Sequence, residues 1–175
     1  MALWLIILFT MLIILSPMMW LRPSRRDRRL GQLRQQARHL GITVKFGKPP
    51  LHAPPAGLVS YRWLYPQDRP GPYFVLVRET HASEVLKPFD EKRKNWRWRI
   101  EPLRSFSGKA RSCLEQVLEE LPQDALVLES ERRYLTLWWE ESQSVEAFNA
   151  NHAALVAVCE VLGSPVQDPS AEEST

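Results

Sequence analysis

The chain has 175 residues, 45% apolar and 25% charged, which is the length and composition of one folded domain, not of a disordered or fibrous chain. Two cysteines and four histidines exclude a disulfide scaffold and leave little material for a metal cage. The net charge of +3 conceals a split: residues 1–21 carry no charge, 22–40 hold seven Arg against one Asp, 41–112 hold 14 basic against 6 acidic residues, and 113–175 hold 2 against 13.

Ala2 to Leu21 reads ALWLIILFTMLIILSPMMWL, in which Thr10, Ser16 and Pro17 alone are not apolar. Twenty helical residues at about 1.5 Å each span about 30 Å, the hydrocarbon thickness of a bilayer. Trp4 and Trp20 stand near its two ends, where amphipathic rings favour the interface. A cleaved signal peptide would need a basic start, a shorter apolar core and a small-x-small site, and all three are missing. The expectation is an uncleaved transmembrane anchor over 1–21. Arg22, Arg25, Arg26, Arg28 and Arg29 follow it, opposed only by Asp27. Positive flanks stay in the cytoplasm, so the N-terminus is expected outside and residues 22–175 inside. Arg exceeds Lys by 17 to 6, which fits a GC-rich bacterial genome and hence a bacterial inner membrane.

Residues 22–41 are expected to form a basic juxtamembrane helix. Leu30, Leu33, Ala37 and Leu40 recur at helical spacing, and Gly41 is a stop signal. Its arginines suit anionic lipid headgroups, or serve topology alone. Residues 42–163 are expected to be a cytoplasmic α+β domain. Ile42–Phe46 alternates like a strand, and Gly47–Gly57, with four prolines, is a loop. Leu58–Tyr65 alternates with Val59, Tyr61, Trp63 and Tyr65 on one face, and Pro72–Glu79 is an apolar strand. Asn95–Ile100 alternates Trp96, Trp98 and Ile100 against Arg97 and Arg99.

A helix should start at the N-cap Ser107 and end at Pro122, with Ala110, Cys113, Leu114, Val117, Leu118 and Leu121 as its apolar stripe. A hairpin over Ala125–Glu129 and Tyr134–Glu140 follows, then a helix over Val145–Leu162 with Gly163 as its stop. Residues 164–175 read as a disordered acidic tail. Runs of strands between helices imply a mainly antiparallel sheet of about five or six strands with two amphipathic helices.

The chemistry is sparse. No phosphate loop, dinucleotide fingerprint or HExxH is present, and Ser107-Gly108-Lys109 lacks the upstream glycines of a phosphate cradle. His39, His52, His81 and His152 are scattered, so no metal or cofactor is expected. His152 lies seven residues before Cys159 on one predicted helix and could meet Cys113 across two helices, though a packed imidazole and buried thiols are the plainer reading. Glu119/Glu120 and Glu140/Glu141 sit where a solvated face or a strand end would put them.

Two features stand out. Lys92, Arg93, Lys94, Arg97 and Arg99 interleave with Trp96 and Trp98, a pattern open to three surface readings: lipid headgroups, a protein partner or, least favoured, nucleic acid. It also suits a strand with rings inward and charges outward. Tryptophans further crowd the predicted strands, and the adjacent Trp138 and Trp139 must point to opposite faces. Two helices cover one face of a sheet. The other face exposes aromatics unless the juxtamembrane helix or loop 47–57 covers it.

The functional expectation is a single-pass membrane protein with a non-catalytic interaction or assembly module and an unidentified protein partner. The alternatives are a membrane-tethered enzyme with an unrecognised site and a tethered nucleic-acid binder.

Overall fold

The computed structural model describes residues 2–20, 24–92 and 95–163, leaving aside the side chains of residues 2 and 14–20. Trp20, Arg22, Arg93, Lys94 and the tail 164–175 therefore lie outside the described side chains. Contacts divide the chain into two units, Met1–Gln32 and Leu33–Thr175.

The first unit contains α1 (Ala2–Trp20) and the start of α2 (Arg25–His39). Every described side chain of α1, Leu3 to Ile13, is exposed. Its Thr10 hydroxyl donates to the Ile6 carbonyl at 2.7 Å. Among the described residues no helix is long and apolar enough to cross a membrane, so the expected anchor is represented by a helix whose crossing is not shown. α2 opens with a reciprocal cap: Ser24 Oγ accepts from Asp27 N, and Asp27 accepts from Ser24 N. The Ser24 hydroxyl, then the Ser24 backbone N–H, donate to the Asp27 carboxylate and hold it below its usual range. Gly41 ends the helical segment at φ +78°, a conformation open to glycine without strain.

In the second unit β1 (Thr43–Phe46), β2 (Val59–Leu64), β3 (Phe74–Arg78), β4 (Trp96–Ile100), β5 (Val127–Ser130) and β6 (Tyr134–Trp139) form one sheet in the order β1-β2-β6-β5-β3-β4. Every pairing is antiparallel. Two helices, α3 (Gly108–Glu120) and α4 (Val145–Leu162), pack on one face with the last turns of α2. Ser107 and Ser144 cap α3 and α4, accepting from Ala110 N and Ala147 N.

The main core joins Val59, Tyr61, Trp63 and Tyr65 to Leu114, Val117 and Leu118 of α3 and Leu155, Val158 and Cys159 of α4. Leu33 and Ala37 enter the same core and are fully buried, so the second half of α2 belongs to the domain. A smaller cluster on the opposite face holds Leu58, Val75, Val77, Val127 and Trp138. Trp138 and Trp139 thus face opposite ways, as adjacent strand residues must. Loop 47–57 helps to cover that second face: Leu51 packs on it, and a Cβ on Gly47 would meet the Trp138 ring at 3.4 Å.

One strand departs from simple alternation. Leu76 pairs with Trp98 and Val75 with Ile100, which leaves Arg99 as an extra residue in β4. Ile100 therefore joins the second cluster, not the face of Trp96 and Trp98 on which the alternation had put it.

Candidate interaction surface

The basic aromatic strand turns its rings inward. Trp96 and Trp98 are 3% and 8% exposed, and the Trp96 indole donates to the Leu118 carbonyl at 3.2 Å. Arg97 is committed to the segment before it: it donates to the carbonyls of Glu84 and Leu86 and to the Glu79 carboxylate. Arg99 sits half-buried at the bulge, and Lys92 is exposed. Stacking on these rings from outside would require opening the core. Of the topology residues, Trp4 is exposed in α1, and Arg25, Arg26, Arg28 and Arg29 are exposed on the first turns of α2.

The two edges of the sheet differ. The outer edge of β4 is sealed by residues 87–89: Trp98 N donates to Lys87 O at 2.8 Å and Phe89 N to Trp96 O at 2.9 Å. Among the described residues β1 pairs with β2 alone, so its outer edge is open. Thr43, Lys45 and Phe46 are exposed there, Phe46 by 69%. Lys48, two residues past β1, and Arg38, in the last turn of α2, are also exposed and positive. An open edge presents backbone donors and acceptors that another extended chain can pair with.

A buried ionic cluster holds the helix next to that edge. The Arg34 guanidinium meets the Glu141 carboxylate through two hydrogen bonds, and the Tyr61 hydroxyl donates to Glu141 Oε1 at 2.7 Å. The same guanidinium lies 4.9 Å from the centre of the Phe46 ring. Glu141 is 2% exposed, and its backbone is left-handed at φ +62°. It is not the solvated strand end that its position suggested, because Arg34, 107 residues away, supplies the counter-charge. Burial, then the bond to Glu141, pushes the Tyr61 hydroxyl far above its ordinary range, so it stays a donor. Arg78 is a second half-buried cation. It donates to the carbonyls of Ala125, Leu121 and Pro122 and lies 4.7 Å from the Trp96 ring centre. It thereby satisfies carbonyls at the C-terminal end of α3.

His152 lines a cleft of about 380 Å³ beside β2, with Trp63, Val156 and Cys159. The cleft does not assemble a cysteine–histidine pair. His152 and Cys159 are seven residues apart on α4, or about 10 Å along the axis. Burial, then the neighbouring Glu160, pushes the Cys159 thiol up to about 12. Burial also raises the Cys113 thiol. Thiols raised in this way are held away from the nucleophilic thiolate form. His152 Nδ1 accepts from the Trp63 indole at 2.9 Å, and burial lowers the His152 pKa.

No protein-family model matches the chain, and no curated protein matches it. Among solved structures, the crystal structure of the mycobacterial trehalose monomycolate transport factor A, TtfA, is similar over 81% of this chain and 97% of its own, at 8% identity and a TM-score of 0.45. A likeness of that degree establishes neither a shared fold nor a shared function.

Proposed function

We propose that the chain is a single-pass protein of a bacterial inner membrane, N-terminus outside, whose cytoplasmic α+β domain is a non-catalytic assembly module. Its partner adds an extended segment to the open edge of β1. The asymmetry of the sheet carries this reading: residues 87–89 close one edge, and among the described residues nothing pairs with the other edge, on β1 beside an exposed Phe46. Lys45, Lys48 and Arg38 favour an acidic segment. The anchor is supported by α1, whose described side chains are apolar and exposed on all sides apart from Thr10. The Thr10 hydroxyl is satisfied inside the helix, as a lipid-facing hydroxyl must be. The arginines after it support the orientation. The inward turn of Trp96 and Trp98 disfavours the tethered nucleic-acid binder, and the raised thiols disfavour a cysteine enzyme.

The test is the size of the native complex in gently solubilised membranes. The wild type should migrate in an assembly larger than its own 20.3 kDa chain accounts for. Lys45→Glu with Phe46→Ser should release it to a smaller species at unchanged abundance. A wild type that migrates alone, or a variant that remains in the larger species, refutes the proposal.

A further inference from the structure

The cleft lined by His152 does not stand alone. A second cleft, of about 450 Å³, is lined by the same Leu64, Tyr65, Pro66 and Gln67, together with Pro70, Arg132 and Arg133. The two parts differ in chemistry. The first is walled mainly by carbon, from Leu40, Ile42, Trp63 and Val156, and its volume falls within the roughly 300–1,000 Å³ of small-molecule sites. The second carries two exposed arginines from the turn between β5 and β6.

We infer that the two clefts form one binding site for a small anionic amphiphile, its apolar body beside Trp63 and Val156 and its phosphate or carboxylate at Arg132 and Arg133. Charge sets this orientation. Glu160 lines the apolar cleft and repels an anionic head from that end, while the arginines attract it to the other. His152 adds a polar fixing point within the apolar part. Its Nδ1 accepts from Trp63, so the proton of the neutral ring sits on Nε2, which can donate to an ester or ether oxygen of the ligand. A few convergent polar groups in a mostly apolar cleft are the usual composition of such a site. Backbone bonds hold the shared wall rigid: Tyr65 N donates to Arg133 O and Gly71 N to Arg132 O, which ties the wall to the arginine turn.

The test uses the full chain in lipid nanodiscs, with empty nanodiscs subtracted, and calorimetric titration with 1-naphthyl phosphate, 1-naphthol and inorganic phosphate. 1-Naphthyl phosphate should bind at least about tenfold more tightly than either half alone. Arg132→Gln with Arg133→Gln should reduce it to the affinity of 1-naphthol. Val156→Trp should remove binding of both naphthyl compounds. Because Val156 borders the core, Leu64→Glu on the exposed shared wall is the second variant. It should weaken 1-naphthyl phosphate at least about tenfold. Four results overturn the inference: no binding of 1-naphthyl phosphate, equal binding of 1-naphthol, equal binding of inorganic phosphate, or 1-naphthyl phosphate affinity that survives loss of both arginines.

Discussion

Arg34→Ala should destabilise the domain more than Glu141→Gly, although the two changes break the same ion pair. The difference lies in what is left behind. The Glu141 side chain is 2% exposed and that of Arg34 is 26% exposed. Without Arg34 a buried carboxylate loses the guanidinium that makes two hydrogen bonds to it, and breaking a buried ion pair in this way costs about 3–5 kcal/mol. Without the Glu141 side chain the guanidinium can turn to water. Glycine at φ +62° also relieves about 1–2 kcal/mol of backbone strain. This offsets part of what is lost with the charged hydrogen bonds, at roughly 1.5–3 kcal/mol each. The double variant should therefore resemble Glu141→Gly, and the coupling between the sites should reach about 2 kcal/mol or more. Thermal unfolding of the reconstituted full chain, followed by tryptophan fluorescence, reads this directly. At roughly 3–5 °C per kcal/mol, Arg34→Ala should lower the midpoint by about 10–20 °C. Equal losses from the two single variants would refute the reasoning, because they would mean that the carboxylate finds solvent once Arg34 is gone.

Leu118→Ala should cost about 2–5 kcal/mol, since Leu118 is 4% exposed in the core between α3 and the sheet; a loss below about 1 kcal/mol in urea unfolding would make α3 peripheral. Glu129→Gln should stabilise the domain at pH 7, because burial raises the Glu129 carboxyl and its charged form is the costly one. The gain is full above the folded-state pKa and should vanish as pH falls below the unfolded value of about 4.3, which unfolding midpoints at pH 7 and pH 3.5 would read. A reporter fused after Thr175 should report cytoplasm, and neutralising Arg22, Arg25, Arg26, Arg28 and Arg29 together should give mixed topologies; alkaline phosphatase activity from the parent fusion would contradict the orientation.

The elements were legible because their signals are local. The stripe from Ala110 to Leu121 and the alternation of Val59, Tyr61, Trp63 and Tyr65 each report one buried face, and serine caps with proline or glycine stops mark the ends. What escaped depends on distance along the chain or on a change of phase. Arg99 is an extra residue without the glycine that flags many bulges, so Ile100 was assigned to the wrong face. Glu141 read as a solvated strand end because nothing near it in sequence names Arg34. The bonds from Arg78 to the carbonyls just past α3 depend on a segment about 40 residues later in the chain. The sealing of β4 by residues 87–89 was hidden in a segment with no periodicity, and with it the contrast between the two edges. The cleft beside His152 combines α4 with β2, a juxtaposition that requires the strand order.

Site-specific photocrosslinking in native membranes tests the assembly module most directly. A photoreactive residue replaces Phe46 at the open edge, and in a parallel chain replaces Val85, which is 92% exposed away from it. The account predicts one discrete adduct from position 46, none from position 85, and loss of the first when Lys45→Glu is added. No adduct at position 46, or the same adducts from both positions, would contradict it.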